Sequence, residues 1–215
     1  MFKQILSVVA CILILAMISG IFWHQELKFL MPTPVPENYH PVDVRETLAL
    51  SDYLDSDNLS RPVFLHFFNP DCACSTFNLD HFKSLIRDYR DHTDIYLVLQ
   101  TSDSISPRAF RQKYDLQVPV VMDYDEQIAQ LCGVYSTPQA VILDRKSRLY
   151  YRGNYNKTRY CTLPGSNYAR IALDSLLADQ PPPILEAEAR VPYGCQLPKK
   201  QTLQSFLYLN SVHDE

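Results

Sequence analysis

Between Ile5 and Trp23 the chain carries no charged residue, and Lys3 is the one charged side chain before that run. About twenty apolar residues suffice to cross a bilayer as a helix, so this stretch predicts one N-terminal transmembrane helix. Beyond it the pattern changes to short apolar runs alternating with amphipathic ones. Asp43 reads as the N-cap of a short helix from Arg45 to Asp55, ended by Arg61-Pro62. Val63 to Phe68 is β-branched and aromatic throughout most of its length, as a buried central strand requires. From Ser75 to Arg90, Phe77, Phe82, Leu85, Ile86 and Tyr89 keep helical spacing. Asp94–Leu99 predicts a second strand, Pro107–Tyr114 a short helix, Val118–Met122 a third strand, and Glu126–Cys132 a helix stopped by Gly133. Ala140–Leu143 and Leu149–Arg152 predict a hairpin turning at Asp144-Arg145-Lys146-Ser147, and Asn167–Leu177 a closing helix. This alternation implies one α/β domain with a central mixed sheet and helices on both faces.

Four segments follow from the same pattern: an anchor over 1–24, a Pro-rich linker over 25–42, a domain over 43–179 and a C-terminal strap over 180–215. A cleavable signal peptide is the alternative for the first. Its apolar core is shorter, however, and Ile18-Ser19-Gly20 is a poor cleavage site. Four prolines between Met31 and Pro41 suit an extended spacer. The strap opens on Pro181-Pro182-Pro183, and a weak helix is expected near Leu203–Leu209. Lys3 and the terminal amine favour a cytoplasmic N-terminus, which places everything after Trp23 outside: a single-pass inner-membrane protein with its domain in the periplasm. In that compartment cysteines form disulfides. Composition adds little, since 24 acidic residues against 20 basic ones, without a basic cluster, speak against nucleic acid as a partner.

The chemistry lies where the strand ending in Phe67-Phe68 meets the next helix, through Asn69-Pro70-Asp71-Cys72-Ala73-Cys74. A helix N-terminus stabilises a thiolate. Further on stands Gly133-Val134-Tyr135-Ser136-Thr137-Pro138, which leads into Gln139 to Asp144 and the second hairpin strand. Together these motifs resemble the thioredoxin-like superfamily over about Val42 to Ala178, in particular membrane-anchored bacterial thiol-disulfide oxidoreductases and redoxin-like proteins. Tyr193-Gly194-Cys195 is similar to the tail of some redoxin-like proteins. The resemblance implies thiol–disulfide exchange with Cys72 as nucleophile and Cys74 as resolving thiol. It also implies a cis-proline at Pro138, with Thr137 free to pair with an extended substrate. The implied partners are protein thiols or disulfides and a membrane electron conduit as reductant; no cofactor and no resident metal are expected.

The chain departs from that family in having Cys-x-Cys where Cys-x-x-Cys is usual. Side chains at i and i+2 do not face each other on a helix. So either Cys72 and Cys74 form a strained dithiol, or Cys72 is resolved by another cysteine. Five cysteines follow the anchor, and the most economical pairing is Cys72 with Cys74 and Cys161 with Cys195, leaving Cys132 as a buried thiol. A different class of function remains open at the same residues. Cys72, Cys74 and His81, with His66, offer thiolate and imidazole ligands for Cu(I) delivery.

Overall fold

The computed structural model describes residues 2–54, 61–101 and 105–198. Helix α1 (Phe2–Leu30) contains a stretch, Phe2–Trp23, long and apolar enough to cross a membrane and, among the described residues, packed against nothing else. Leu203–Leu209 lies outside the described residues.

After α1 come β1 (Val63–Phe68), α2 (Ala73–Tyr89), β2 (Asp94–Leu99), α3 (Pro107–Tyr114), β3 (Val120–Met122) and α4 (Gln127–Cys132). They are followed by β4 (Ser136–Thr137), β5 (Gln139–Leu143), β6 (Leu149–Gly153), α5 (Tyr168–Leu177) and β7 (Cys195–Gln196). Five strands form one sheet in the order β3-β2-β1-β5-β6. The first three are parallel, whereas β5 runs antiparallel to both β1 and β6. This mixed sheet, with helices packed on it, is the thioredoxin-like fold that the sequence implies.

Because a strand alternates its side chains, β1 feeds both layers of core. Phe64 and Phe68 join Phe82 and Leu85 of α2, Phe110 of α3 and Leu173 of α5 on one face. Val63, Leu65 and Phe67 pack with Ile128 and Cys132 of α4 on the other. One fully buried Phe of this kind contributes roughly 1.5–3 kcal/mol.

The helix expected from Arg45 to Asp55 is not formed over the described residues 43–54. Arg45 has a φ of +75°, and its N–H donates to the Leu149 carbonyl while Leu149 N–H donates to Glu46. Leu48 N–H similarly bonds Ser147, so the segment lies along the edge of β6. Its buried Leu48 and Leu50 are two apart, which is a strand spacing rather than a helical one.

Two chain ends are laid against the domain. Thr33 N–H donates to the Pro192 carbonyl at 2.8 Å, and the Thr33 and Ser136 hydroxyls share a buried hydrogen bond of 2.8 Å. The Pro-rich segment expected as an extended spacer is tied to the domain at Thr33 and at Tyr39, whose hydroxyl donates to the Gly133 carbonyl. Residues 187–191 form a short turn held by Asn154. Its amide nitrogen donates to the carbonyls of Glu188 and Val191 at 2.7 Å each, and its N–H donates to Ala189. Tyr151 hydroxyl adds a bond to Ala189 at 3.1 Å. The chain passes so close to β6 here that a Cβ on Gly153 would stand 2.0 Å from the Ala189 oxygen.

Candidate redox site

Strand register brings the two motifs together. Phe67 of β1 lies opposite Gln139 of β5, so the loop leaving β1 and the loop entering β5 meet at the same end of the sheet. In the first, the Asn69 side chain accepts from Asp71 N–H at 2.9 Å and the Asn69 carbonyl accepts from Cys72 N–H at 3.1 Å. That closed turn fixes Cys72 as the N-cap of α2, with extended backbone, while its own carbonyl accepts from Ser75 and Thr76. In the second, the Thr137–Pro138 peptide bond is cis, as expected. The Cys72 sulfur lies 3.4 Å from the Thr137 carbonyl oxygen and is fully buried.

Cys72 is joined by a disulfide to Cys195, across 123 residues of sequence and a Cα–Cα distance of 5.9 Å. The expected partners were different. Cys74 sits inside the first turn of α2, wholly buried and still a thiol, and its offset of two residues from the cap carries it away from Cys72. Cys161, expected to hold Cys195, instead takes a φ of +54° and accepts a hydrogen bond from the Asn78 side chain at 3.0 Å. Burial pushes its thiol up to about 11. Cys132 is a buried thiol, raised far above its ordinary value by burial.

Cys195 arrives on an added strand. β7 pairs antiparallel with β4, Thr137 opposite Cys195 and Ser136 opposite Gln196. Gly194 makes this approach possible: it has a φ of +128°, and a Cβ there would lie 2.2 Å from the Thr137 carbonyl oxygen. Tyr193 anchors the strand from the other side, donating from its hydroxyl to the Asn156 carbonyl at 2.6 Å. Thr137, expected with Pro138 to face substrate, is paired with the chain's own C-terminal segment.

The metal reading loses its geometry. Among the described residues no three His, Cys, Asp or Glu side chains come together as a metal would need. His66 is a core residue: its ring stacks on Phe82 at 3.9 Å between centroids, and its Nδ1 pairs with the Tyr155 hydroxyl at 2.6 Å. Burial first, and the nearby His81 second, push His66 down to about 3, so it is neutral. Tyr155 is likewise buried, against His66 and Phe64.

Sequence reasoning missed Cys195, Gly194, Ser136 and Asn154 as parts of this site. The available signals were an odd cysteine count and a glycine placed directly before a cysteine in a Pro-rich tail.

The family described as Domain of unknown function (DUF6436) matches residues 43–196, a span that ends at Gln196 of β7. A crystal structure of an uncharacterized conserved protein from Geobacillus kaustophilus is similar over 80% of this chain and 100% of its own, with a TM-score of 0.61 and 19% identity. A hypothetical protein from Sinorhizobium meliloti is similar over 74% and 96%, with a TM-score of 0.58 and 16% identity. A thioredoxin-like protein solved in its oxidized form covers 72% of this chain and 99% of its own, at a TM-score of 0.45 and 15% identity. No curated protein matches the sequence.

Proposed function

The chain belongs to the DUF6436 family, and we propose that it carries out thiol–disulfide exchange on exported proteins, with Cys72 as the nucleophile. One observation carries this reading: a cysteine capping a long helix is disulfide-bonded to a strand laid over the cis Thr137–Pro138 bond. That is the position of a mixed disulfide with an extended partner, occupied by the chain itself.

In the reductive direction, the Cys72 thiolate attacks one sulfur of a substrate disulfide. That bond breaks, the distal sulfur leaves as a thiolate and takes a proton from water, and a Cys72–substrate disulfide forms. The Cys195 thiolate then attacks the Cys72 sulfur and displaces the second substrate thiolate, which restores Cys72–Cys195. Substrate gains two electrons, and a dithiol reductant resets the pair. Cys195 takes the resolving role first expected of Cys74, because the fold delivers it to Cys72. The apolar Phe2–Trp23 helix supports anchoring in the membrane with the domain on the periplasmic side, within reach of a membrane electron conduit.

The test is a redox titration of the full chain with thiol trapping. One two-electron couple involving Cys72 and Cys195 is expected, and Cys72→Ser abolishes it along with reduction of a protein disulfide. A Cys72 that never changes state across the titration overturns the reading.

A further inference from the structure

The two sulfurs of the Cys72–Cys195 bond do not stand in equivalent places. Cys72 has no exposed surface at all: the turn Asn69–Asp71 lies behind it, Thr137 beside it and the strap over it. Cys195 is only partly buried and is followed by exposed Gln196. Thiol–disulfide exchange needs the attacking thiolate to reach one sulfur while the other departs. In the closed form Cys195 is the one of the two residues with surface open to an attacking thiolate.

We propose that electrons enter this protein at Cys195 and leave it at Cys72, so that Cys195 is the docking cysteine for the reductant. The inference rests on the thiol–disulfide reading above and adds a direction to it. A thiolate of the reductant attacks the Cys195 sulfur. The Cys72–Cys195 bond breaks, and Cys72 departs as a thiolate held at the N-terminus of α2, where the helix dipole favours it as a leaving group. A Cys195–reductant disulfide is left on the strap. The reductant's second thiol then attacks its own sulfur in that bond, frees Cys195 and becomes a disulfide. The reductant loses two electrons and the Cys72/Cys195 pair gains them. The partner class is therefore an exposed dithiol.

Strap anchoring keeps the two roles apart. Asn154, Tyr151, the Thr33 N–H on the Pro192 carbonyl and the Ser136 hydroxyl on the Tyr193 carbonyl hold the segment from Ala187 to Cys195 against the domain, and Gly194 lets it lie over Thr137. While the strap is bound, protein substrates have no access to Cys72 or to the β4 edge. Once Cys195 is held by the reductant, the strap is no longer tethered to Cys72, and that edge becomes available to a substrate strand.

The probe is glutathione, a monothiol that cannot complete the second step. Oxidised full-length chain in detergent micelles is mixed with glutathione, quenched at short times with N-ethylmaleimide and mapped by mass spectrometry. Extrapolated to zero time, the adduct on Cys195 is expected to exceed that on Cys72 by at least about tenfold, since accessibility decides which sulfur is attacked. Asn154→Ala, which removes two strap bonds, raises the Cys72 share. A zero-time adduct mainly on Cys72, or a bond that glutathione opens only after the chain is unfolded, overturns the assignment. Neither result touches the redox couple itself, which the Cys72→Ser titration tests separately.

Discussion

Gly194→Ala isolates the contact that lets the strap close on Cys72. The substitution adds a single Cβ, which the native path would place 2.2 Å from the Thr137 carbonyl oxygen and 3.1 Å from its carbon. Both of those atoms are backbone, so they cannot swing aside as a side-chain tip would. The native φ of +128° is also a conformation an L-residue rarely adopts, and holding a residue in such a region costs about 1–3 kcal/mol. The strain falls on the form in which β7 is paired with β4. In the reduced form the strap can move off and relieve it. The disulfide is thus destabilised relative to the dithiol, and its reduction potential becomes more positive. At about 1.4 kcal/mol per 30 mV for a two-electron couple, the strain converts to a rise of about 20–60 mV. The assay is equilibration against graded ratios of reduced and oxidised dithiothreitol, followed by alkylation and counting of modified Cys72 and Cys195. Melting of the reduced protein serves as the control and is expected to change little. A potential equal to that of the wild type refutes the reasoning, because Thr137 would then not constrain the strap.

Three other outcomes follow from the same geometry. His66 is held at about 3 in the folded chain, below its usual 6.5, so the unfolded chain takes up its proton first as pH falls. Stability is then complete above about pH 6.5 and declines below it, by up to about 1.4 kcal/mol per unit towards pH 3. His66→Phe, which retains a ring against Phe82, should flatten the melting temperature between pH 6 and pH 4; the slope left over belongs in part to His81, also lowered by burial. An unchanged slope refutes the role of His66. The Cys72–Cys195 loop of 123 residues is worth about 5 kcal/mol in the chain-entropy model, so dithiothreitol should lower the wild-type melting temperature and leave that of Cys195→Ser unaffected. Finally, Cys74→Ser puts a hydroxyl in the core at a cost of about 1–3 kcal/mol, yet the Cys72–Cys195 potential should stay where it was. Loss of the couple in that variant would return the resolving role to Cys74.

What the sequence made legible was whatever rested on local periodicity. β1, β2 and α3 begin and end where expected, because Val63–Phe68, Asp94–Leu99 and Pro107–Tyr114 are bounded by proline, by polar turns or by a capping Ser106. The cis Thr137–Pro138 bond and its place beside Cys72 were legible too, through a motif rather than through periodicity. The illegible parts depend on contacts between distant segments. Arg45–Leu54 carries helix-compatible residues, but its N–H groups are claimed by Leu149 and Ser147, a hundred residues away, and edge pairing overrides the local preference. The disulfide is the same case at larger scale. Cys72 and Cys74 are neighbours in sequence, yet the first turn of α2 points them apart, whereas Tyr193-Gly194-Cys195 reaches Cys72 only because β4 offers an edge and Gly194 lacks a Cβ. A cysteine that must be carried to its partner by a strand addition leaves one local trace, the glycine before it. That trace acquires meaning only once the Thr137 carbonyl is known to lie beneath it.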